Sequence, residues 1–497
     1  MPLSLIPKPP DKFRLIQNFS ATVGTSPATN ELIPRSWATT WSTFRQIVAN
    51  ILALPPDSEA CTRDVDSAYR LLPVHPSQWP ALVLRTDEGF FIDTRVSFGI
   101  GPGTGVFGRV GEAALDIFRA RGFGPLGRWV DDILFFRVRV VSIASVNAQR
   151  ADIHGSLDQQ PFLRRGAKWW VGAEGRRYDE SYEYPLRAAT NAGREDGWHY
   201  GDDEIESLAD ELGLPLHKPT PWSSTFSYAG YLFSIFDRRA GLPAVKVATY
   251  RADIDAWLSQ SVHRLEDSQR LLGRLLHASP VVLDAPRHLT RLIGFVNIAV
   301  RSNAHPRAQR HGSAALDKDI EWWREHLCGE EVWRSISQYA PKDINLFVDA
   351  SSDWGVGIWW DGHSASYRLH PDWRSRGDGR DIQFAEALAI EVGLLHVLST
   401  GFRSAALVVY TDNTGVQFGV PRGRMRNAAA TSVIDRIHAL QVDRDVVIHT
   451  RRVASADNPA DGPSRGIRKE PGLPTIVLPA LVAAEFLPHW QSPAGRR

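Results

Sequence analysis

Residues 128–136 constrain this chain most, because two adjacent carboxylates, Asp131 and Asp132, interrupt an otherwise apolar and aromatic run. Val, Ile, Phe and Trp favour strands and Asp-Asp favours a turn, so the run predicts a strand–Asp-Asp–strand hairpin. A tight turn can bring both carboxylates toward one side. Such anions repel each other unless a cation joins them, and Mg²⁺ takes hard oxygen ligands of this kind. The alternative is an ordinary polar turn.

The composition indicates an ordinary globular protein of several domains. The chain has 497 residues, more than one typical core holds, with 43% hydrophobic and 23% charged residues. Its net charge of +1 means that any nucleic-acid binding must come from local patches. Two cysteines exclude a disulfide framework and predict an intracellular protein, in cytoplasm or nucleus. The sequence shows no signal peptide and no uncharged run of membrane-spanning length, so no membrane partner is predicted.

Four segments before the hairpin carry further signals. Residues 8–19 read as a turn followed by a strand, with basic residues on both sides of a hairpin tip where a triphosphate could bind; the alternative is a solvated loop. Asp64 is predicted near the end of a strand, with a short helical turn close by. Residues 82–93 predict a hairpin with a Gly-containing turn. Residues 98–107 are glycine-rich and lead into a predicted helix over 109–121, with neither Walker A nor Rossmann spacing.

Together these segments resemble the fingers and palm of retroelement reverse transcriptases. The matching motifs are an Asp-x-x-Ser-Ala-Tyr box, a Phe-Gly box and an aromatic-x-Asp-Asp hairpin, in that order. Trp129 stands where the family usually has Tyr, and Thr104 where it usually has Pro. The resemblance implies metal binding by Asp64, Asp131 and Asp132, triphosphate binding by Arg14 with Lys8 or Lys12, exclusion of a ribose 2′-hydroxyl by Tyr69, and a nucleotide pocket shaped by Phe98 and Gly99.

The middle of the chain departs from the family and then returns to it. Residues 138–203 are predicted to be an insertion, partly mobile. Residues 212–220 resemble the box whose lysine protonates pyrophosphate, which makes Lys218 a candidate general acid; the alternative is a surface lysine. Residues 226–233, with Gly230, resemble the primer-grip hairpin. Helical periodicity over 250–258, 265–277 and 286–298 predicts a thumb.

A second set of carboxylates lies beyond residue 340. Asp349 is predicted at a strand end, Glu386 on a helix over residues 384–395, Asp412 at the end of a buried strand, and Asp461 in a late Asn-Pro-Ala-Asp motif. This order resembles the ribonuclease H fold, which implies two Mg²⁺ ions for hydrolysis of an RNA phosphodiester. Glu391 is the competing helix carboxylate. The family's mobile histidine has no clear counterpart, since the nearest histidine, His449, is predicted to lie in a strand.

Residues 422–427 form a local basic patch, Arg422, Arg424 and Arg426. They are predicted to open the helix after Asp412 and to contact hybrid phosphates. A solvated loop is the alternative. A hybrid can be recognised by shape and by 2′-hydroxyls without base reading.

The predicted fold is an α+β multidomain chain: fingers and palm over residues 1–235, a helical thumb or connection over 236–340, an α/β ribonuclease H-like domain with a mixed sheet over 341–470, and a tail over 471–497. The chain resembles a reverse transcriptase–ribonuclease H polyprotein segment of a retrotransposon, nearest to the tyrosine-recombinase or pararetrovirus-like groups. That implies an RNA-directed DNA polymerase and an endonuclease that use Mg²⁺ or Mn²⁺. The implied partners are RNA template, DNA primer, RNA–DNA hybrid and dNTPs.

Three functional alternatives stay open from the sequence. The first is an active polymerase with an active nuclease, which the seven intact carboxylates favour. The second is a decayed or domesticated copy that binds nucleic acid without catalysis, and the third is a ribonuclease H with an inactive polymerase. The short N-terminus and the insertion favour the second and third. The sequence makes no prediction about the oligomeric state.

Overall fold

The chain folds as a mixed α/β protein of two compact units. The computed structural model describes residues 3–8, 12–22, 27–33, 39–157, 160–164, 167–171, 177–178, 182–188, 196–302, 304–336, 341–375 and 377–488. The first unit is Met1–Pro243 with Trp333–Ile336, and the second is Ala244–Val332 with Ser337–Arg497.

The first unit contains fourteen strands and four α-helices among its described residues up to Pro243. Its strands are β1 (Leu3–Lys8), β2 (Lys12–Gln17), β3 (Glu59–Val65), β4 (Val83–Thr86), β5 (Gly89–Ile92), β6 (Leu126–Trp129), β7 (Asp132–Arg137), β8 (Phe162–Arg164), β9 (Ala167–Val171), β10 (Arg177–Tyr178), β11 (Leu216–His217), β12 (Thr225–Tyr228), β13 (Tyr231–Ser234) and β14 (Arg239–Leu242). Its helices are α1 (Phe44–Leu52), α2 (Gly103–Ala120), α3 (Ile143–Gly155) and α4 (Asp202–Glu211).

The rest of the chain supplies the remaining elements. The strands are β15 (Val262–Arg264), β16 (Gln309–His311), β17 (Val332–Ser335), β18 (Pro341–Ala350), β19 (Gly355–Trp360), β20 (His363–Arg368), β21 (Ala405–Thr411) and β22 (Val446–Arg452). The helices are α5 (Ala244–Leu258), α6 (Leu265–Ala278), α7 (Thr290–Arg301), α8 (Ala314–His326), α9 (Ile382–Ser399), α10 (Thr414–Arg422), α11 (Ala428–Arg444), α12 (Asp461–Ser464) and α13 (Ala480–Ala483).

The central sheet of the first unit has the strand order β11-β3-β7-β6. Strand β7 lies in the interior of this sheet, and its residues Ile133 to Phe136 are all buried, which explains the unbroken apolar run after the two aspartates. Helices α2 and α4 pack on the sheet through Phe107, Phe118 and Leu208. The sheet thereby becomes a rigid support for the polar residues at its end.

Helix α2 begins earlier than the sequence predicted. The prediction placed its start at residue 109 and left residues 98–107 as a loop, whereas the helix begins at Gly103. Its glycines serve close packing: a Cβ on Gly108 would collide with Thr39, and one on Gly111 would lie 3.2 Å from the Arg128 side chain. The prediction began the helix at residue 109 because glycine has a low helix propensity. In the structure the packing of α2 outweighs that propensity.

The described residues between 138 and 203 form helix α3 and the antiparallel sheet β10-β9-β8. A contact within this segment joins α3 to a later part of the chain: the side chain of Asn147 exchanges two 2.8 Å hydrogen bonds with the backbone of Leu186. A further contact joins it to the end of β7 in the central sheet, where His199 Nδ1 lies 3.0 Å from the amide of Val138. That these residues are an insertion stays a prediction.

Helices α5, α6 and α7 lie where helical periodicity predicted helices, with two differences. Helix α5 begins at Ala244, earlier than the predicted start at Tyr250. Residues 286–298 were predicted as one helix, but the structure has a 3-10 helix at Ala285–Leu289 followed by α7. Pro286 lies in the first turn of this 3-10 helix, where its missing N–H costs no helical hydrogen bond.

The second unit contains a five-stranded sheet of order β20-β19-β18-β21-β22. Strands β18, β19 and β20 are antiparallel, and β21 and β22 add in parallel. Helix α9 packs on the central strand, where Gly393 allows close approach to Val348. By length and composition α9 is apolar enough to cross a membrane, but most of its residues are buried in this unit. It is therefore the core helix of the sheet.

Candidate active sites

The Asp-Asp hairpin is present, with its turn one residue earlier than predicted. Trp129 pairs with Asp132, so the two turn residues are Val130 and Asp131, and Asp132 is the first residue of β7. Val130 has φ 57°, a left-handed conformation that is costly for a β-branched residue. The prediction placed both aspartates in the turn because turn propensity favours Asp over Val. Register in the sheet decides otherwise.

The hairpin brings the first set of carboxylates together. Asp64 and Asp132 are direct partners in the β3–β7 ladder. The amide of Val65 donates to the carbonyl of Asp131 at 2.9 Å, which holds the turn beside the end of β3. Burial, followed by the charges of Asp64 and Asp131, raises the pKa of Asp132 to about 6, while Lys218 lowers it. The three carboxylates therefore interact electrostatically.

Lys218 lies at this cluster and forms an ion pair with Asp64. That hydrogen bond raises the pKa of Lys218. The sequence analysis did not single out His217, yet its Nε2 lies 3.3 Å from Asp64 Oδ2 and its Nδ1 lies 2.9 Å from the Asp64 carbonyl. Its position beside Lys218, opposite β3, was the available signal. Asp64 thus contacts His217, the last residue of β11, and Lys218, the residue that follows it.

The predicted nucleotide-pocket residues also lie near the turn. The ring of Tyr69 meets that of Phe98 edge to face, with centroids 4.9 Å apart. Burial and then the charge of Asp131 raise the pKa of Tyr69, while a hydrogen bond with Thr104 lowers it. Gly99 has φ 92°, and a Cβ there would lie 2.8 Å from the Gln17 carbonyl, so this position requires glycine. Thr104 thus provides a polar contact to Tyr69.

The residues that were predicted to bind a triphosphate are only partly described. Lys8 and Lys12 face each other at the end of the β1–β2 hairpin, and Arg14 lies opposite Ile6. The side chains of Lys8, Lys12 and Arg14 lie outside the described part of the chain, so their predicted role stays a prediction.

The β12–β13 hairpin lies against the Asp-Asp hairpin. Its turn residues Ala229 and Gly230 have φ 48° and 81°, as a two-residue turn between twisted strands requires. The hydroxyl of Tyr228 donates to the carbonyl of Asp132 at 3.1 Å. Gly230 therefore lies in a turn that directly follows a strand in contact with the backbone of Asp132.

The second set of carboxylates forms the tightest acidic group in the described part of the chain. Oxygen atoms of Asp349, Glu386 and Asp412 all lie within 4.8 Å of one another. Asp349 is the penultimate residue of β18, Asp412 directly follows β21, and Glu386 lies in the second turn of α9. Parallel pairing of β18 with β21 explains the convergence, because parallel strands end at the same edge of a sheet.

The electrostatics of this triad fit a divalent cation. Burial, followed by the charges of Asp349 and Asp412, raises the pKa of Glu386 to about 9. Burial also raises the pKa of Asp349. Glu386 Oε2 is buried and has no hydrogen-bond partner among the described residues. A buried oxygen without a donor, beside two more carboxylates, is a site that a divalent cation would satisfy.

The fourth predicted carboxylate lies nearby on a more exposed element. Asp461 is the first residue of α12, and its charge contributes to the raised pKa of Asp349. Arg465 binds Asp461 at 2.9 Å. Helix α12 packs on the central strands because Gly357 has no side chain: a Cβ there would collide with the backbone of Ser464.

The competing helix carboxylate has a different partner. Both oxygens of Glu391 accept hydrogen bonds from Arg436, at 2.7 and 2.6 Å. The Glu391 side chain is 2% exposed. Because a guanidinium already satisfies this carboxylate, Glu386 is the helix residue available for a metal.

This pair gives a stability prediction. We expect Arg436→Ala to lower the free energy of unfolding by about 3–5 kcal/mol, since it leaves a buried carboxylate without its cation. Urea unfolding followed by circular dichroism measures it. The double variant Arg436→Met with Glu391→Gln is the control and should recover most of the loss. An equal loss in the double variant would mean that packing, not charge, is responsible.

The basic patch lies elsewhere than predicted. Arg422 ends α10, and Asn427 is the N-cap of α11, so Arg424 and Arg426 lie in the loop between two helices. The prediction that the patch opens the helix after Asp412 is wrong, because α10 intervenes. Gly423, with φ 70°, ends α10 in the left-handed conformation typical of a helix C-terminus. His449 lies within β22, as predicted.

Comparisons with known proteins find only distant likeness. No protein-family model matches the chain, and no curated protein matches it. A foamy viral protease-reverse transcriptase dRH with double-stranded DNA is 12% identical, with a TM-score of 0.43, over 90% of this chain and 65% of that chain. The foamy viral protease-reverse transcriptase with RNA/DNA hybrid is 11% identical, with a TM-score of 0.43, over 96% and 52%. The same protein with double-stranded DNA is 14% identical, with a TM-score of 0.41, over 91% and 77%. At these TM-scores the likeness assigns no function.

Proposed function

We propose that this chain is an RNA-directed DNA polymerase with a ribonuclease H that degrades the RNA strand of RNA–DNA hybrids. The observation that carries the proposal is the presence of two separate carboxylate clusters, one in each unit. Asp64, Asp131 and Asp132 gather at the end of the β3–β7 ladder, and Asp349, Glu386 and Asp412 gather at the edge of the five-stranded sheet. Two clusters of this kind fit two phosphoryl-transfer reactions.

In the polymerase site, the proposed metal ligands are Asp64, Asp131 and Asp132. Bound Mg²⁺ or Mn²⁺ would activate the primer 3′-hydroxyl and neutralise the leaving pyrophosphate. Lys218 is the proposed general acid. Its side chain is 63% exposed, so it can leave Asp64 and reach a leaving group. Since the pKa of Lys218 is raised, it carries the proton that this role requires.

In the nuclease site, the proposed ligands are the triad and Asp461. The topology supports this proposal: counted along the chain, the sheet order is three, two, one, four, five, with the helix carboxylate on the element that joins the third and fourth strands. Arg465 holds Asp461 until a substrate or cation takes its place. The proposed nucleic-acid contacts are Arg422, Arg424 and Arg426, which are exposed.

The test uses the purified full chain with Mg²⁺ in two assays. Primer extension on poly(rA)/oligo(dT) measures synthesis, and cleavage of a labelled RNA–DNA hybrid measures the nuclease. Both activities are expected. Cleavage without extension would favour the ribonuclease H alternative. Hybrid binding without either activity would favour the non-catalytic copy.

Tyr69 gives a prediction about sugar discrimination. We expect Tyr69→Ala to lower the preference for dNTPs over rNTPs by about a hundredfold, because the ring is proposed to fill the space of a 2′-hydroxyl. Single-nucleotide insertion kinetics measure it. Tyr69→Phe is the matched control, since it keeps the ring and loses only the hydrogen bond with Thr104. Unchanged discrimination in Tyr69→Ala would remove this residue from the role.

Arg424 gives a prediction about hybrid affinity. We expect Arg424→Ala to weaken hybrid binding, because one phosphate contact is lost. The slope of the logarithm of the binding constant against the logarithm of the salt concentration should become shallower by about one unit. Cleavage at saturating hybrid should change little, since the contact exists in both ground and transition states. Arg444→Ala, at the far end of α11, is the control. An unaltered slope in Arg424→Ala would leave the patch as a solvated loop.

A further inference from the structure

The residue before Trp129, Arg128, is a buried cation next to the proposed polymerase carboxylates. Its side chain is 3% exposed. One guanidinium nitrogen donates to the carbonyl of Val130 at 3.2 Å, and the other donates to the carbonyl of Gly108 at 2.8 Å. The second nitrogen also lies 3.2 Å from Glu112 Oε2. Arg128 therefore joins helix α2 to the Asp-Asp turn.

The turn needs such a contact for two reasons. Val130 has φ 57°, where a β-branched residue is strained. Asp131 and Asp132 also place two negative charges on adjacent residues, which repel each other. A charge-assisted hydrogen bond from Arg128 to the Val130 carbonyl fixes the strained peptide and thereby the position of the two acids that follow it.

The surroundings hold Arg128 in one position. Its own backbone exchanges two 2.8 Å hydrogen bonds with Ser42, and its guanidinium lies 4.9 Å from the ring centroid of Trp41. Glu112 is oriented in turn by Arg119 at 2.9 Å. Gly111 leaves the space that the guanidinium fills. A planar fork that serves three acceptors at once is a task for arginine, not for lysine.

We propose that Arg128 is a positioning residue of the polymerase site, which fixes the turn carrying Asp131 and Asp132 by holding the Val130 carbonyl. The claim that Arg128 supports DNA synthesis rests on the proposed function. The claim that Arg128 fixes the turn does not, because the hydrogen bond from the Val65 amide to the Asp131 carbonyl can be measured without any activity.

Hydrogen exchange of the Val65 amide tests the proposal. The variant is Arg128→Met with Glu112→Gln, which removes the contact without leaving a buried unpaired acid. We expect the Val65 amide to exchange about tenfold faster. Arg128→Lys keeps the charge and should give a smaller increase, and it serves if the double variant fails to fold. The matched control is Arg137→Met with Glu59→Gln, which removes a partly buried pair from the other end of β7. In this control the exchange rate of the Val65 amide should be unchanged.

Primer extension on the same variants separates the two claims. The expected result is a lower kcat with a nearly unchanged KM for dNTP in the Arg128 variants, and no such split in the Arg137 control. Unchanged Val65 exchange in folded Arg128 variants would overturn the positioning role. If the Val65 amide exchanges faster in the Arg128 variants but the wild-type protein makes no DNA, the effect of Arg128 on the turn is upheld and the proposed polymerase function is rejected.

Discussion

Replacing Asp132 with asparagine is expected to lower DNA synthesis by at least about a thousandfold while hybrid cleavage stays unchanged. Asp132 lies opposite Asp64 in the ladder, and burial and the neighbouring charges already disfavour its ionised form. An amide in its place removes the negative charge that a metal ion requires, which is worth several kcal/mol of transition-state stabilisation.

Both activities of the Asp132→Asn variant are measured on one preparation, with circular dichroism to show that it is folded. Glu211→Gln is the control, because Glu211 is an exposed acid of the same unit that pairs with Arg121. It should change neither activity. Equal loss of synthesis and cleavage in folded Asp132→Asn would contradict the assignment of two separate sites.

The second large effect concerns Glu386. We expect Glu386→Gln to abolish hybrid cleavage and, in the absence of metal, to stabilise the protein. The pKa of Glu386 is about 9 in the folded state, far above its ordinary value of 4.5. A raised pKa means that the folded state binds the extra proton, so stability falls as the pH rises from about 4.5 to about 9. Glutamine removes this loss, on the order of a few kcal/mol at pH 8.

Thermal unfolding with and without Mg²⁺ measures this effect independently of activity. Mg²⁺ should raise the Tm of the wild type, because it binds the folded state only, and should raise the Tm of Glu386→Gln much less. Asp443→Asn is the control, since Asp443 is an exposed acid of α11. A metal-free wild type as stable at pH 8 as Glu386→Gln would show that burial and the neighbouring charges do not disfavour ionised Glu386.

The local elements could largely be predicted from the sequence. Residues 344–360 were predicted as strand–turn–strand, and the structure has β18 and β19 there. The α9 helix was predicted from residues 384–395 and extends over Ile382–Ser399. These predictions succeeded because alternation and helical periodicity are local consequences of burying one face.

The local predictions failed where packing partners outside the segment decide the outcome. Helix α2 begins at Gly103 because Thr39 and Arg128 fill the spaces that its glycines leave. The Asp-Asp turn is centred on Val130 and Asp131 because register with β3 places Asp132 in the strand. No signal within these segments shows either effect.

The sequence by itself determined which residue types are available and in what order: two groups of carboxylates, each next to a strand or helix end. The tertiary structure decided which of them meet. In the folded chain Arg436 pairs with Glu391, whereas Glu386 keeps a buried oxygen without a hydrogen-bond partner among the described residues. Arg128 donates to the Val130 carbonyl. The physical reason is that strand order and burial set the distances between charges, and those distances fix both partners and pKa values.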